Sequence, residues 1–206
     1  MSKVCLFGAS GHGKVIKDVL ESQGSKVIFF IDDFPKSDKL LGVSVFKTAE
    51  INQFLSDKFI ISIGDNSIRK KISKTFVLKY TKAIASQAII SKSSSVLEGT
   101  VVMMGAIINA DTAIGKHCII NTNSVIEHDC IIGDYVHISP NATITGNVTI
   151  GEGTQVGAGA IVIPNINIGK WVTVGAGAVI LKDVPDYATI VGNPARLIDY
   201  KKIKDE

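Results

Sequence analysis

The sequence predicts a small α/β domain with a parallel sheet, followed by a three-sided β-solenoid. Three observations carry that reading. Strand-like and helix-like segments alternate over the first eighty residues. From Ile84 onward an Ile or Val recurs every six residues, 17 times without an insertion. Charge also divides the chain: residues 1–82 hold 14 Lys/Arg against 8 Asp/Glu, and residues 83–206 hold 8 against 11. Of the 206 residues, 46% are hydrophobic but only 6% aromatic, which permits a packed core of mainly aliphatic side chains.

The elements follow in order. Val4-Cys5-Leu6-Phe7 is a short apolar run that stops at Gly8. Gly13 to Gln23 has helical spacing, with Val15, Ile16, Val19 and Leu20 on one side, and Gly24 ends it. Val27 to Ile31 reads as a second buried strand, stopped by Asp32-Asp33 and Pro35. Phe59 to Gly64 is a third, with a helix from about Ser67 to Leu78. The boundary is expected near residue 82, giving an α/β domain over 1–82.

The period of six fits neither a helix nor a plain meander. It fits a coil of three six-residue sides, eighteen residues per turn, with the aliphatic residue pointing inward. Four positions later most residues are small, and Gly, Asn and Asp supply the bends. The coils are expected over 83–185 and a closing cap over 186–206.

Composition excludes several classes. A net charge of +3 is too mild to indicate nucleic acid. No apolar run approaches the ~20 residues that span a bilayer, and Met1 to Gly8 carries no signal-peptide pattern. The expectation is a cytoplasmic protein without membrane insertion. Cys5, Cys118 and Cys130 form no C-x-x-C, and their odd number argues against a disulfide framework. Cys118 and Cys130 fall at small inward positions, which makes them structural.

Four histidines could carry chemistry. None of His117, His128 and His137 lies at an inward position of the repeat, so burial in the core is not expected for them. His128 sits in Glu127-His128-Asp129; its imidazole suits proton removal near neutral pH, and either carboxylate could orient it. His128 and His137 are half a coil apart and belong on opposite sides of the prism. A site using both must lie between copies, so a homotrimer is expected. No His or Cys spacing matches a local metal motif.

Gly8-Ala9-Ser10-Gly11-His12-Gly13 joins the first strand to the first helix. The order G-x-x-G-x-G departs from the dinucleotide fingerprint, but glycines there let a phosphate approach helix N–H groups. Asp32-Asp33, about twenty residues on, stands where a carboxylate meets a ribose or base. One nucleotide diphosphate fits better than NAD.

Together with Phe30-Ile31-Asp32-Asp33-Phe34, Ile63-Gly64-Asp65-Asn66-Ser67-Ile68-Arg69-Lys70-Lys71-Ile72, Ser124 to Cys130 and Val191-Gly192-Asn193-Pro194-Ala195-Arg196, that turn resembles the bacterial sugar O-/N-acyltransferases. The nearest branch N-acetylates nucleotide-linked 4-amino-4,6-dideoxyhexoses; a sister branch O-acetylates sialic acid. The resemblance implies a left-handed parallel β-helix of hexapeptide repeats after a small Rossmann-like domain. It implies His128 as general base, Asp129 as its carboxylate where close relatives carry Glu, and Gly146 as the N–H donor to the acetyl carbonyl. It places His137, Asn121, Ala158 and Ala176 against acetyl-CoA. It assigns Ser10, Gly11, His12, Asp32, Asp33 and Gly64 to the nucleotide sugar. Direct transfer without an acyl-enzyme follows, with acetyl-CoA as cosubstrate and no metal. The rival readings are O-acetylation of a sialic acid, a non-catalytic nucleotide-sugar scaffold, and three histidines meeting on a metal in a trimeric cleft, as in β-helical carbonic anhydrases.

Overall fold

A computed structural model describes residues 2–54 and 57–200. The first part holds β1 (Lys3–Phe7), α1 (Gly11–Ser22), β2 (Lys26–Ile31), β3 (Lys39–Leu40), β4 (Val43–Phe46), β5 (Lys58–Ile61), α2 (Asn66–Thr75) and β6 (Lys79–Tyr80). They form one sheet in the order β3-β4-β2-β1-β5-β6, parallel except for the β3–β4 hairpin. The first three predicted strands and both helices are present. The third strand is shorter than expected. It ends at Ile61 because Ser62 turns back, donating its hydroxyl to the Gly8 carbonyl at 2.6 Å. The α2 helix begins earlier, capped by Asp65, whose carboxylate accepts the Ile68 N–H at 2.9 Å. It also stops earlier, at Thr75, freeing Lys79–Tyr80 to pair with β5.

One face of the sheet holds an aromatic cluster around Phe29, Phe46, Phe54 and Phe59. The other face carries α1, and Ile16, Val19 and Leu20 share a core with Ala83, Val101 and Ile119 of the coils. The two parts are thus packed through apolar side chains.

From Ala83 on, the chain forms 17 two-residue strands among the described residues, each ending on one of the predicted inward Ile or Val positions. Strands eighteen positions apart pair in parallel, as in Val101↔Ile119 and Ile107↔Val125. Three parallel stacks result, here called faces one, two and three, starting at Ala83, Ile89 and Ser95. The small residues four positions on are inside: Thr100, Cys118, Cys130, Ala142 and Ala160 are all fully buried. Buried hydroxyls are satisfied by the coil itself. Thr100 donates to the Gly115 carbonyl at 2.7 Å and accepts the Cys118 N–H at 2.9 Å.

Every corner from residue 99 to residue 177 turns through one residue with φ between 53° and 74°. Gly, Asn and Asp hold most of these places, but His117, Tyr135 and Trp171 hold three. The His117 and Trp171 rings lie back over a glycine of the coil before, where a Cβ at Gly99 would be 2.2 Å from His117 and one at Gly153 would be 2.5 Å from Trp171, while the Tyr135 ring stacks on His117 at 5.4 Å. The corner before face one is therefore an aromatic column, and α2 docks on it. Arg69, only 1% exposed, donates to the carbonyls of His117 and Tyr135 at 2.9 Å each. Ser73 meets the Tyr135 hydroxyl at 2.9 Å, and Lys70 pairs with Glu152 at 2.8 Å.

Two expectations need correction. His117 is 4% exposed, not a surface residue, because α2 covers the outside of its corner. The coil also runs past its predicted end. Val184 bridges Ile168 and Ile190 pairs with Val174, sixteen positions away and not eighteen. Two missing residues break the sequence period while stacking continues. Arg196–Tyr200 then pairs antiparallel with Ala188–Val191. Residues 201–206, the end of the expected cap, lie outside the described residues.

Candidate active site

The structure gathers the candidate residues into three places. The first is the corner between faces two and three. There Asp129 adopts φ 60°, and that turn carries its Oδ2 to 2.7 Å from His128 Nδ1. Glu127, the other possible partner, instead accepts from Asn109 Nδ2 at 2.8 Å. A carboxylate at Nδ1 favours the tautomer with its proton there, which leaves Nε2 as the ring's acceptor. The pair is open to solvent, with side chains 61% and 58% exposed. Gly146, one coil on, lies under the ring: a Cβ there would come within 2.7 Å of Cε1. Among the described residues the Gly146 N–H meets no acceptor.

The second place is the junction of the α/β domain with face one. His137 stands in the Ile119–His137–Gln155 row. Its Nε2 is 3.0 Å from Asn121 Nδ2, and its Nδ1 is buried without a partner. His12 is near enough to Arg69 and His137 for their charges to act on one another, and its Nε2 is also buried, with no hydrogen-bond partner among the described residues. Burial, then the Arg69 charge, pushes His137 down to about 3 and His12 down to about 4. Both rings are therefore neutral at physiological pH. Gly64 is beside them, with its carbonyl 3.0 Å from Arg69 Nη1. Ala158 and Ala176 lie next to this region, on the corner between faces one and two. They are exposed and stacked, with the Gly177 N–H donating to the Ala158 carbonyl at 2.8 Å. Small side chains there leave a smooth floor.

The third place is a cleft of about 240 Å³ at the start of α1. Ser10 and Gly11 line it with Asp32, and Lys14, Lys36 and Lys39 surround it. Ser10 precedes the helix in extended conformation and its side chain does not cap. The first-turn N–H groups are thus left for a ligand. Gly13 is needed by the fold, since a Cβ would be 2.7 Å from the Gly8 carbonyl; Gly11 faces open space. Asp32 accepts the Ala9 N–H through Oδ2 at 2.8 Å and the Phe34 N–H through Oδ1 at 2.9 Å. Asp33 does not line the cleft. It accepts the Thr48 N–H at 2.8 Å, and hydrogen bonds from Thr48 hold its carboxyl below the usual range.

Sequence reasoning missed Lys14, Lys36, Lys39 and Phe34 in the cleft and Arg69 at the junction. Lys14 directly follows the glycine turn, a signal that was available. Lys39 lines the cleft from the β3–β4 hairpin, and Lys36 from the segment that leads into it. No three His, Cys, Asp or Glu are gathered to hold a metal ion among the described residues.

Comparison with known proteins decides the family. Residues 3–76 match the PglD N-terminal domain, and residues 111–146 and 147–182 match the bacterial transferase hexapeptide repeats. A mutant of perosamine N-acetyltransferase from Caulobacter crescentus, solved with CoA and GDP-perosamine, is 34% identical. It superposes with a TM-score of 0.93 over 97% of this chain and 98% of that one. The chain belongs to the PglD-type sugar N-acetyltransferases. The acetyltransferase domain of PglB from Neisseria gonorrhoeae, solved with acetyl coenzyme A, gives 34% identity and a TM-score of 0.90, covering 95% and 98% of the two chains. A curated relative, UDP-N-acetylbacillosamine N-acetyltransferase of Bacillus subtilis, is 43% identical over 114 residues, 50% of this chain and 52% of that protein. The match thus spans about half of that relative's length. The full-length matches bear out a PglD-type α/β domain followed by a left-handed parallel β-helix. No helix among the described residues is long and apolar enough to cross a membrane.

Proposed function

We propose that this chain transfers acetyl from acetyl-CoA to the 4-amino group of a UDP- or dTDP-linked 4-amino-4,6-dideoxyhexose. The single observation that carries the proposal is the His128–Asp129 pair at 2.7 Å, open to solvent above a glycine whose N–H has no acceptor. Acetyl-CoA supplies the thioester carbon. His128 Nε2 accepts the proton of the sugar nitrogen as that nitrogen bonds to the thioester carbonyl carbon. Asp129 stabilises the imidazolium. The Gly146 N–H donates to the carbonyl oxygen as it becomes negative. The carbon–sulfur bond then breaks and thiolate leaves. Cys118 and Cys130 are buried and desolvation pushes both thiols up, which fits direct transfer without an acyl-enzyme.

The residues suit acetyl-CoA without a metal: a smooth floor at Ala158 and Ala176, with Asn121 beside it. The cleft lined by Ser10, Gly11 and three lysines suits the diphosphate of a sugar nucleotide. Three free, buried cysteines and a CoA thioester substrate suit a cytoplasmic enzyme.

We also propose a homotrimer. The base lies at one edge of face two and the coenzyme floor at the other, so one chain does not bring them together. The outer residues of face two are Ile89, Ile107, Val125, Thr143, Ile161 and Val179. Ile89 is 63% exposed and Ile161 42%. Packing this stripe against a neighbour would cover it and close the site.

The test is an acceptor panel with acetyl-CoA, read by mass spectrometry. UDP-, dTDP- and GDP-linked 4-amino sugars are assayed beside free sialic acid. Acetylation of a nucleotide-linked amine is expected. Acetylation of sialic acid alone would overturn the proposal.

A further inference from the structure

Phe34 is 94% exposed, although it belongs to a chain otherwise poor in aromatic residues. It is not loose. Its N–H is held by Asp32 Oδ1 at 2.9 Å, and the same carboxylate holds Ala9 of the glycine turn through Oδ2 at 2.8 Å. One side chain thus fixes Phe34 relative to the start of α1. Both line the same cleft, whose walls combine polar and apolar groups. Ser10, Gly11 and Lys14 come from the start of α1, and Leu40 and Val45 from the β3–β4 hairpin. Lys14, Lys36 and Lys39 against Asp32 leave a formal +2, the complement of a diphosphate.

We propose that Phe34 is the stacking platform for the nucleobase of the sugar nucleotide, with the β3–β4 hairpin as the opposite wall of the base compartment. The proposal rests on the nucleotide-sugar reading above and adds to it the group that holds the base. An exposed ring face is the cheapest binding surface for a heterocycle, since every base offers a π-face. Holding the backbone of that residue limits where its ring can go, which lowers the cost of the contact. The phosphates then lie at the first turn of α1, where the free N–H groups and Lys14 are. The sugar is left to run toward His12 at the domain junction.

Isothermal titration of the full chain tests this with UDP, dTDP and GDP as ligands and inorganic pyrophosphate as the base-free probe. Phe34→Ala is expected to weaken the nucleoside diphosphates by about ten-fold or more and to leave pyrophosphate unchanged. Phe34→Tyr and Phe34→Trp are expected to restore wild-type affinity. In steady-state assays Phe34→Ala raises KM for the nucleotide sugar, while kcat and the KM for acetyl-CoA stay as they were. Equal nucleotide affinity in Phe34→Ala and wild type would overturn the role of Phe34 alone. An equal loss for pyrophosphate would also overturn it, because the ring would then act only through loop shape. Failure of wild-type protein to bind any of the three nucleotides would remove the parent reading and this one together.

Discussion

Asp129 is one methylene shorter than Glu, and its backbone makes up the difference. At φ 60° the corner turns its carboxylate onto the ring that precedes it, at 2.7 Å. Asp129→Asn would keep the contact but remove the charge that favours imidazolium; kcat is expected to fall by about 10²-fold with nucleotide-sugar binding unchanged. His128→Ala is expected to lower kcat by about 10²–10⁴-fold, again without loss of nucleotide-sugar affinity by titration. Gly146→Ala places a methyl 2.7 Å from His128 Cε1 and must displace the ring. Its signature is a fall in kcat with an unchanged melting temperature. The basis for His128 was legible in the sequence, because an imidazole between two carboxylates at a bend is unusual. The choice of Asp129 over Glu127 came only from the family resemblance, because the residues by themselves left both carboxylates open. It depends on which side chain the left-handed corner aims at the ring.

At the scale of elements, α2 couples the two parts. Arg69 gives five hydrogen bonds to carbonyls and an amide oxygen, and desolvation pushes its pKa down to about 10. Arg69→Met strands these acceptors in a buried place. We expect a loss of about 3–5 kcal/mol, seen as a melting temperature lower by roughly 10 °C. The buried histidines around Arg69 make stability depend on pH. His12 and His117 titrate near 4 and His137 near 3 in the fold, against about 6.5 unfolded. Between those values the unfolded chain binds more protons, so their contribution is complete above about 6.5 and is lost as pH falls toward 4. Melting curves from pH 7.5 to 4.5 should show a steady decline; a flat profile would contradict neutral burial. These contacts explain what the sequence hid. His117 occupies a bend position, and only packing by a distant helix buries it. The β3–β4 hairpin turns on Leu41-Gly42, both with positive φ, and Leu is no turn residue by composition. The coils were legible because a six-residue period leaves the inward side chain no alternative. They became illegible where two residues are missing before Val184.

At the scale of the whole molecule, the proposed site depends on face two. Its outer, mostly aliphatic stripe separates His128, the proposed base, from Ala158 and Ala176, the proposed coenzyme floor, within a chain. Ile161→Glu puts a charge in that stripe and is expected to shift the protein toward monomer by light scattering, with activity falling in parallel. The most direct measurement uses two variants that are each expected to lose most of their activity when assayed alone, His128→Ala and His137→Ala. Mixed subunits formed by co-expression contain some clefts with an intact His128 from one copy and an intact His137 from its neighbour. If the site is shared, equal mixing restores roughly a quarter of wild-type activity. If mixing restores none, while each variant still folds and assembles, the two residues serve no common site between copies.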